Sequence, residues 1–332
     1  MTAEVALHRA AEGSSWPGRL VCVSVNTSID KIAAVDRLRP GEIHRPEILS
    51  MVPGGKALNV ARPAASLGMP VRAVAVLGGH AGDWVDAALR GQAIGIRAVR
   101  IAGETRTCLS VLDRETGTLT EFYEPGLTLD ARGWAAVESA LAAELADDPA
   151  GSLVILSGSL PPGAPVDGYA RLTTLAKRAG ARAVVDADRD VLDEALAARP
   201  WLVKVNAREA AVATGLAGTD ETVAVSAARA LRTRTSGAVL VTRGLDGAVV
   251  VDDTGVAWRV GAPPAQGRYP VGSGDSLLAG LVVALASGHA LPEAARRGGA
   301  VGAANALVPG QGELDLADAD RMLSAISVER LG

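Results

Sequence analysis

Three small residues followed by one acidic residue form the stretch of this sequence that most clearly suggests chemistry. Residues Gly272 to Gly274 stand directly before Asp275, and the run after them is apolar on every side as far as Gly288. Such a run, long enough for a helix from Ser276, predicts a buried helix that starts at a glycine-lined turn. Small residues let an anion approach backbone N–H groups there, and the helix dipole favours negative charge. Donors for an anion beside a carboxylate base are what phosphoryl transfer to a hydroxyl group requires.

Two other interpretations of this stretch stay open at this point. An acidic residue in the first turn of a buried helix is also explained by the helix dipole alone. Residues 274–277 spell Gly-Asp-Ser-Leu, which is typical of serine esterases and would make Ser276 the nucleophile. Such an enzyme needs a histidine base three residues after an aspartate, but the only histidine after Ser276 is His289, and position 286 is alanine. The esterase interpretation is therefore the weaker one.

A second glycine turn leads into another predicted helix. Gly54 and Gly55 precede Lys56, the helix is predicted to start near Ala57, and Asn59 follows one turn later. A cation at the start of a helix is unfavourable with the dipole unless an anion joins it, so Lys56 is a candidate anion ligand. The segment is not a Walker A motif, because its opening glycine is missing and no serine or threonine follows the lysine.

Two further charged side chains are candidates for binding a substrate. Asp30 follows a predicted buried strand, at the end where open α/β sheets place ligands, and is suited to bind a pair of sugar hydroxyl groups. Its alternative role is to cap a turn. Arg106 is the best-placed cation of a β-rich segment, although an arginine at a rim is usually a solvated charge.

A neutral and an acidic side chain, three residues apart, open a further predicted helix. Asn206 and Glu209 follow the predicted strand Leu202 to Val205. The helix dipole alone also explains an acidic residue in a first turn. The pair is equally suited to hold a hydrated Mg²⁺, because this ion takes few protein ligands and keeps several of its waters.

These residues are positioned by short apolar strands that alternate with helical segments. The alternation predicts an α/β fold with a doubly wound, mostly parallel sheet and helices on both faces. Two segments, about residues 31–53 and 104–124, have the pattern of exposed, edge-type strands instead. We expect both to join in one small sheet that lies over the main sheet. The polar segments follow strands, so they should gather along one edge of the main sheet.

Composition excludes several classes of function. The chain has 332 residues, of which 48% are hydrophobic, enough for one large α/β domain or two smaller ones. A net charge of −4 argues against nucleic acid as the main partner. Residues 1–18 look like a loose extension without the apolar region of a signal peptide, and no apolar run reaches membrane-spanning length, so we expect a cytoplasmic protein. Cys22 and Cys108 lie in apolar runs and are expected to be buried thiols.

Taken together, the motifs resemble those of the PfkB (ribokinase-like) sugar kinases. VPGGKALNVARPAASLG is similar to the family's N-terminal signature, and YPVGSGDSLLAG is similar to its C-terminal one. SGSLPPG, KVNAREA and TRGLDGA stand between them in the family's order, so the resemblance spans about Leu20 to Gly312. NTSID, RLRPGEIHR, GGK, GETRT and SGSLPPG are most similar to the branch of 1-phosphofructokinases and tagatose-6-phosphate kinases.

The resemblance implies a ribokinase-like fold with a small β-sheet lid, and it implies a role for each matching residue. Asp275 would be the catalytic base, and the amides that hold the transferring phosphoryl group would be those of Gly272, Ser273 and Gly274. The positions expected to bind the sugar or its own phosphate are Asp30, Gly54, Gly55, Lys56, Asn59, Arg106 and Ser157. The positions expected on the nucleotide side are Lys204, Asn206, Thr242, Gly244, Gly247 and Asn305. Asn206 and Glu209 would organise Mg²⁺, through water.

The implied activity is the transfer of a phosphoryl group from ATP, with Mg²⁺, to a hydroxymethyl group of a ketohexose phosphate. The candidate acceptors are fructose 1-phosphate, fructose 6-phosphate and tagatose 6-phosphate. We expect a single kinase domain over residues 19–330 and a homodimer formed through the lid. One alternative is a kinase of an unphosphorylated sugar or nucleoside, which Lys56 and Arg106 argue against. Another is a non-catalytic sugar- or nucleotide-binding sensor, which the intact Asp275 argues against.

Two residues depart from the pattern of this branch. Ala57 stands where glycine is common, and a methyl group there is expected to crowd the sugar and change the substrate. Pro270 stands where many members have serine or threonine. The Gly-x-Gly-Asp core after it is intact, so we expect catalysis to survive.

Overall fold

Short runs of buried aliphatic residues form strands that alternate with helices along most of the chain. The computed structural model describes residues 18–146, 151–263 and 267–332, so the predicted N-terminal extension lies outside the described residues except for Gly18. The strands are β1 (Leu20–Ser24), β2 (Ser28–Val35), β3 (Glu47–Gly54), β4 (Val71–Leu77), β5 (Gly95–Arg100), β6 (Arg106–Asp113), β7 (Leu119–Tyr123), β8 (Leu153–Ser157), β9 (Arg182–Asp186), β10 (Leu202–Asn206), β11 (Ala238–Thr242), β12 (Ala248–Val251), β13 (Ala257–Val260) and β14 (Val328–Leu331). The helices are α1 (Lys56–Ser66), α2 (Gly79–Gly91), α3 (Ala131–Ala146), α4 (Gly168–Arg178), α5 (Arg189–Ala197), α6 (Ala207–Thr214), α7 (Glu221–Arg232), α8 (Ser273–Ala286), α9 (Leu291–Asn305) and α10 (Leu316–Ala325). This order confirms the predicted α/β class.

The large sheet has the order β14-β13-β12-β11-β10-β9-β8-β1-β4-β5. The strands from β5 to β11 in this order pair in parallel. β12, β13 and β14 add to one edge as antiparallel strands. Alternate residues enter two separate hydrophobic clusters, so that Leu20 and Cys22 of β1 lie in one cluster and Val21 and Val23 in the other. Both faces of the sheet are therefore covered, which confirms the doubly wound arrangement.

The parallel strands end at one common edge, and polar residues occupy that edge. Ser157, Asp186, Asn206 and Thr242 are the last residues of β8, β9, β10 and β11. Ser157 is paired with Asp186, and Asn206 is paired with Thr242. Open α/β sheets bind ligands at the carboxyl ends of their strands, so this edge is the natural place for a site.

A separate small sheet has the order β3-β2-β6-β7 and unites the two segments that the sequence indicates as β-rich. Two expectations about it are wrong. Asp30 lies within β2, which begins at Ser28, and not in a loop at the end of β1. β2 is a central and mostly buried strand rather than an exposed edge strand, because β3 and β6 flank it. Asp30 is therefore a residue of the small sheet and not of a loop of the large sheet.

Helix α8 begins at Ser273, three residues before the predicted start. Gly272 makes this possible, because its φ of 83° is a left-handed conformation that favours glycine. Its carbonyl oxygen accepts the N–H of Ser276 at 2.9 Å, which closes the first turn. α8 packs against α1 and α9, so the start of α8 is held near the start of α1. In the described ranges, no helix is both long and apolar enough to cross a membrane.

Candidate active site

The first turn of α8 combines free backbone N–H groups with a nearby ammonium group. The N–H of Ser273 donates to the carbonyl of Pro270 at 3.1 Å, whereas those of Gly272 and Gly274 have no acceptor among the described residues. A Cβ atom at Gly274 would lie 3.2 Å from Nζ of Lys204. Glycine thus leaves room for an anion to meet the free N–H groups and the lysine together.

Asp275 is the buried carboxylate of the same turn. It is 6% exposed, and its Oδ2 accepts a hydrogen bond from Nδ2 of Asn59 at 3.3 Å. Burial raises the pKa of Asp275 to about 6, against the opposing charges of Lys204 and Lys56 and with support from the negative charge of Asp186. A carboxylate with a pKa near neutrality can act as a general base at physiological pH.

Two lysines share the carboxylate of Asp186 at the end of β9. Nζ of Lys204 lies 2.7 Å from Oδ2 of Asp186, and Nζ of Lys56 lies 3.5 Å from Oδ1. Burial opposes the ionisation of Asp186, but the charges of the two lysines outweigh it and hold the pKa of Asp186 below its usual range. The same carboxylate raises the pKa of Lys56. The ion pairs therefore hold two ammonium groups near Asp275.

Asp30, Gly54, Gly55 and Asn59 come together where β3 meets α1. Oδ2 of Asp30 lies 3.5 Å from Nδ2 of Asn59, the atom that also donates to Asp275. A side chain at Gly54 would overlap the Asp30 carboxylate, and Gly55 has a φ of 97° that favours glycine. Burial raises the pKa of Asp30. One amide therefore links two buried carboxylates, one from the small sheet and one from α8.

Arg106 and Ser157 have hydrogen-bonding capacity that the protein does not use. The guanidinium group of Arg106 donates to the backbone carbonyls of Asn26 at 3.1 Å and Glu124 at 3.3 Å. Its Nε and the Oγ of Ser157 are buried and have no hydrogen-bond partner among the described residues. Carbonyl groups do not neutralise a guanidinium ion, so Arg106 keeps a full positive charge that is available to an anion.

The residues predicted on the nucleotide side lie at the ends of β10 and β11. Oδ1 of Asn206 accepts the N–H of Glu209 at 2.9 Å, and Oε2 of Glu209 accepts the N–H of Asn206 at 2.8 Å. This reciprocal capping box opens α6, so helix capping alone accounts for both residue types. Thr242 is the β11 partner of Asn206, and a short turn between Gly244 and Gly247 follows it. These residues lie along the site's edge but outside the hydrogen-bonded cluster around Asp275.

Asn305 is fully buried and its amide is used inside the protein. Its Oδ1 accepts the hydroxyl of Ser276 at 2.6 Å and the N–H of Gly312 at 2.8 Å, and its Nδ2 donates to the carbonyl of Val271 at 3.3 Å. The amide thus braces the start of α8 against the loop after α9. The esterase interpretation is wrong, because Ser276 is fully buried with its hydroxyl bonded to Asn305.

The two departures from the branch pattern do not disturb this geometry. Ala57 is fully buried and packs in the hydrophobic core, and the expectation that its methyl group changes the substrate stays a prediction. Pro270 contributes its backbone carbonyl to Ser273, a contact that any residue can make.

This combination of fold and site has counterparts among known proteins. The sequence model of the pfkB family carbohydrate kinases matches residues 19–317. The chain belongs to this family. The kinase is 38% identical over 272 residues to 1-phosphofructokinase from Xanthomonas campestris pv. campestris, a match that covers 80% of this chain and 83% of the relative. It is 33% identical over 279 residues to 1-phosphofructokinase from Rhodobacter capsulatus, covering 84% of this chain and 87% of the relative.

Solved phosphofructokinases share the fold of this pfkB kinase. The tetrameric inhibited form of phosphofructokinase-2 from Escherichia coli aligns with a TM-score of 0.84 at 27% identity, covering 92% of this chain and 98% of that chain. The family and the relatives together make this protein a sugar-phosphate kinase that uses ATP, a phosphotransferase with an alcohol group as acceptor.

Three residues of the kinase's polar cluster were not predicted as site residues from the sequence: Asp186, Gln311 and Arg62. Asp186 ends a predicted strand at the ligand-binding edge, and that position was a usable signal. Oε1 of Gln311 accepts from Nδ2 of Asn59 at 3.0 Å, and Nη2 of Arg62 donates to Oδ1 of Asn59 at 3.2 Å. Arg62 and Gln311 are 249 positions apart in the sequence but in direct contact, and no local sequence pattern predicts such a contact.

Proposed function

We propose that this kinase transfers the γ-phosphoryl group of ATP to the free hydroxymethyl group of fructose 1-phosphate. The two 1-phosphofructokinases, at 38% and 33% identity, support this acceptor. Fructose 6-phosphate ranks second, because ATP-dependent 6-phosphofructokinase isozyme 2 from Mycobacterium tuberculosis is 29% identical over 304 residues. Tagatose 6-phosphate is the third candidate and rests on the sequence motifs alone.

The observation that carries the proposal is the position of Asp275 in the first turn of α8. Its carboxylate is buried, its pKa is raised to about 6, and it lies one residue from the free N–H of Gly274. A proton acceptor and an anion-binding turn are thereby joined in a single structural element. Phosphoryl transfer to an alcohol needs both within reach of the same oxygen atom.

In the proposed reaction Asp275 removes the proton of the sugar's hydroxymethyl group while that oxygen bonds to the γ-phosphorus of ATP. The bond between this phosphorus and the β–γ bridging oxygen breaks, and ADP leaves with the electron pair. The N–H groups of Gly272 and Gly274 and the ammonium of Lys204 balance negative charge on the transferring group. Asp30 and Asn59 orient the sugar hydroxyl groups.

Mg²⁺ would neutralise part of the charge on the ATP phosphates in this reaction. No group of three or more His, Cys, Asp or Glu side chains in the described ranges is arranged to hold a metal ion. Where Mg²⁺ is shared with phosphates and water, it usually takes only one or two protein ligands. Glu209 and Asn206 fit this role, because Oε1 of Glu209 makes no hydrogen bond with the described residues.

Lys56 and Arg106 are proposed to bind the phosphate that the sugar already carries. The side chain of Lys56 is 43% exposed although it is paired with Asp186, so its ammonium can still meet a ligand. Arg106 pairs with no carboxylate among the described residues, and its carbonyl contacts hold the guanidinium in place. Guanidinium groups recognise phosphate through two parallel hydrogen bonds.

The small sheet is proposed to close over the sugar as a lid and to pair with the lid of a second copy of this chain. Most of the exposed large apolar side chains among the described residues lie in its segments: Ile43, Ile48, Met51, Phe122 and Tyr123, each between 42% and 87% exposed. Exposed apolar side chains in these segments favour contact with a protein partner. A mass measurement by light scattering that shows a monomer for the native chain would contradict the homodimer. The cytoplasmic location stays a prediction.

The test of the proposed function is ADP release with Mg·ATP across six acceptors: the three ketohexose phosphates, fructose, ribose and adenosine. The proposal predicts a kcat/KM for fructose 1-phosphate about tenfold or more above every other acceptor. Preference for another phosphosugar would show that fructose 1-phosphate is not the main substrate, but it would remain consistent with the phosphate-binding role of Lys56 and Arg106. Turnover of a free sugar or nucleoside alone would overturn that role, and ATP binding without turnover would favour a sensor.

A further inference from the structure

Arg62 is a buried cation next to the proposed site and forms no ion pair with a carboxylate of the described residues. It lies on α1, is 4% exposed, and its Nη2 donates both to Oδ1 of Asn59 at 3.2 Å and to the backbone carbonyl of Gln311. Burial lowers the pKa of Arg62 to about 10, while the carboxylates of Asp30, Glu313 and Asp275 act in the opposite direction. Arg62 is therefore still protonated at neutral pH.

A guanidinium group can only donate hydrogen bonds, and this fixes the orientation of the Asn59 amide. The oxygen of the amide must face Arg62, so its nitrogen faces the opposite side. There Nδ2 lies 3.3 Å from Oδ2 of Asp275, 3.5 Å from Oδ2 of Asp30 and 3.0 Å from Oε1 of Gln311. The reversed amide would place its oxygen against the carboxylates of Asp275 and Asp30 and its N–H groups against the guanidinium. Arg62 thus excludes the reversed orientation.

The same guanidinium group holds the loop that follows α9. Gly310 and Gly312 flank Gln311 with φ values of 126° and 71°, and the backbone between them presents the carbonyl of Gln311 to Arg62. A Cβ atom at Gly312 would lie 2.9 Å from the carbonyl oxygen of Asn59 and 3.1 Å from Nη2 of Arg62. The loop therefore packs directly on α1. Arg62 holds the loop by its hydrogen bond to the carbonyl of Gln311, the residue whose side chain contacts Asn59.

We propose that Arg62 is a positioning residue for phosphoryl transfer, which orients the amide of Asn59 towards Asp275 and Asp30 and fixes Gln311 beside it. This inference rests on the proposed role of Asp275 as base. The role does not require Arg62, which is 4% exposed, to touch the sugar or ATP. Arg62 acts through Asn59, whose N–H stabilises the ionised form of Asp275 that accepts the proton, and the positive charge of Arg62 adds to this effect.

The charged groups that face Asp275 come from several elements and set the background for this effect. They are Lys204 on β10, Asp186 on β9, Lys56 and Arg62 on α1, and Asp30 on β2, which shares the Asn59 donor with Asp275. Loss of Arg62 removes one of the positive charges and releases the Asn59 donor. Both changes disfavour the carboxylate form of Asp275 and so raise its pKa. As the pH falls, Asp275 therefore becomes protonated, and stops acting as a base, at a higher pH than in the native enzyme.

The test uses Arg62→Gln and Arg62→Met in the full-length kinase, with Arg62→Lys as the conservative variant. Gln and Met remove the obligate donor, and we expect kcat to fall about 10–100-fold with the acid limb of the pH–rate profile moved to higher pH. Lys still offers only donors, so it should restore most of kcat and return the acid limb towards its native position. Arg296→Met is the matched control, because Arg296 is a partly buried arginine of α9 bonded to Glu293 and to the carbonyl of Leu323.

The outcomes separate this inference from the proposed function. A native enzyme without phosphosugar kinase activity would overturn the proposed function itself. A native enzyme that is active, with a folded Arg62→Gln variant of unchanged kcat and unchanged acid limb, would overturn only the role of Arg62. If Arg62→Met does not fold, Arg62→Gln decides, because it keeps more of the polar volume. Equal losses of activity in Arg62→Gln and Arg296→Met, without a shift of the acid limb, would reduce Arg62 to a purely structural residue.

Discussion

Nζ of Lys204 lies 2.7 Å from Oδ2 of Asp186, and both side chains are buried. The ion pair joins the ends of β9 and β10 and sets the ammonium group next to the first turn of α8. A charge buried without its partner is strongly destabilising, so each residue depends on the other. The pair that stabilises this edge of the sheet therefore also holds the ammonium group that we propose to act in phosphoryl transfer.

The first prediction concerns the loss of this pair. Asp186→Asn should lower the free energy of unfolding by about 3–5 kcal/mol, because it leaves a buried ammonium without its counter-charge. Urea unfolding measures the change. Asp193→Asn is the control, since Asp193 and Arg234 form an exposed pair at 2.8 Å whose loss should cost about 1 kcal/mol or less. Equal effects of the two substitutions would show that the Asp186 pair contributes no more than a surface ion pair.

The pH dependence of the reaction follows from the raised pKa of Asp275. A base must be ionised to accept a proton, and Asp275 becomes protonated as the pH falls through its pKa of about 6. We therefore expect kcat/KM to be constant above this pH and to fall tenfold per pH unit well below it. Initial rates at saturating Mg·ATP across the range measure this limb. A rate that stays constant down to about pH 5 would contradict Asp275 as a base with a raised pKa.

A third prediction separates binding of the sugar's phosphate from catalysis. Arg106→Ala should raise KM for the phosphosugar and leave kcat nearly unchanged, because the phosphate is bound equally in the ground state and the transition state. Arg100→Ala is a suitable control, since Arg100 is paired with Asp83 and Asp86 at the surface. An unchanged KM in the Arg106 variant would indicate that the acceptor carries no phosphate at this position.

The contact between Gly54 and Asp30 gives a prediction about a single methyl group. Ala at position 54 would overlap the Asp30 carboxylate, so either β3 or Asp30 must move. We expect kcat/KM for the sugar to fall about 100-fold, since a misplacement of this size disturbs the alignment of the reacting groups. Gly91→Ala, at the end of α2 where a Cβ meets no atom within 4 Å, should leave kcat/KM unchanged. An unchanged kcat/KM for the sugar in the Gly54→Ala variant would contradict the proposed role of Asp30 in sugar binding.

Local patterns were sufficient to predict the framework and to select Asp275 as the proposed base. Asp275 was identifiable because glycine, a carboxylate and an apolar helix stand next to one another in the sequence. The doubly wound sheet was predictable because buried strands and helices alternate. Asn206 and Ser157 could be assigned to one edge because parallel strands end there together.

Contacts between distant segments were not predictable in the same way. The burial of β2, and with it the position of Asp30 inside the small sheet, depends on β3 and on β6, which lies far along the chain. No local pattern distinguishes Arg62 from other charged residues, because its contact with Gln311 joins segments that are far apart in the sequence. Such residues acquire a role only when the whole chain has folded, so a sequence read segment by segment misses them.

The most direct test of Asp275 as the base follows the product itself. Phosphorus NMR of the native kinase with Mg·ATP and fructose 1-phosphate should show a second sugar phosphate ester that grows together with ADP. In Asp275→Asn, which keeps the shape of the side chain but lacks the base, the rate of ester formation should fall roughly 10²–10⁴-fold while ATP still binds. Ester formation at the native rate in that variant would contradict the account.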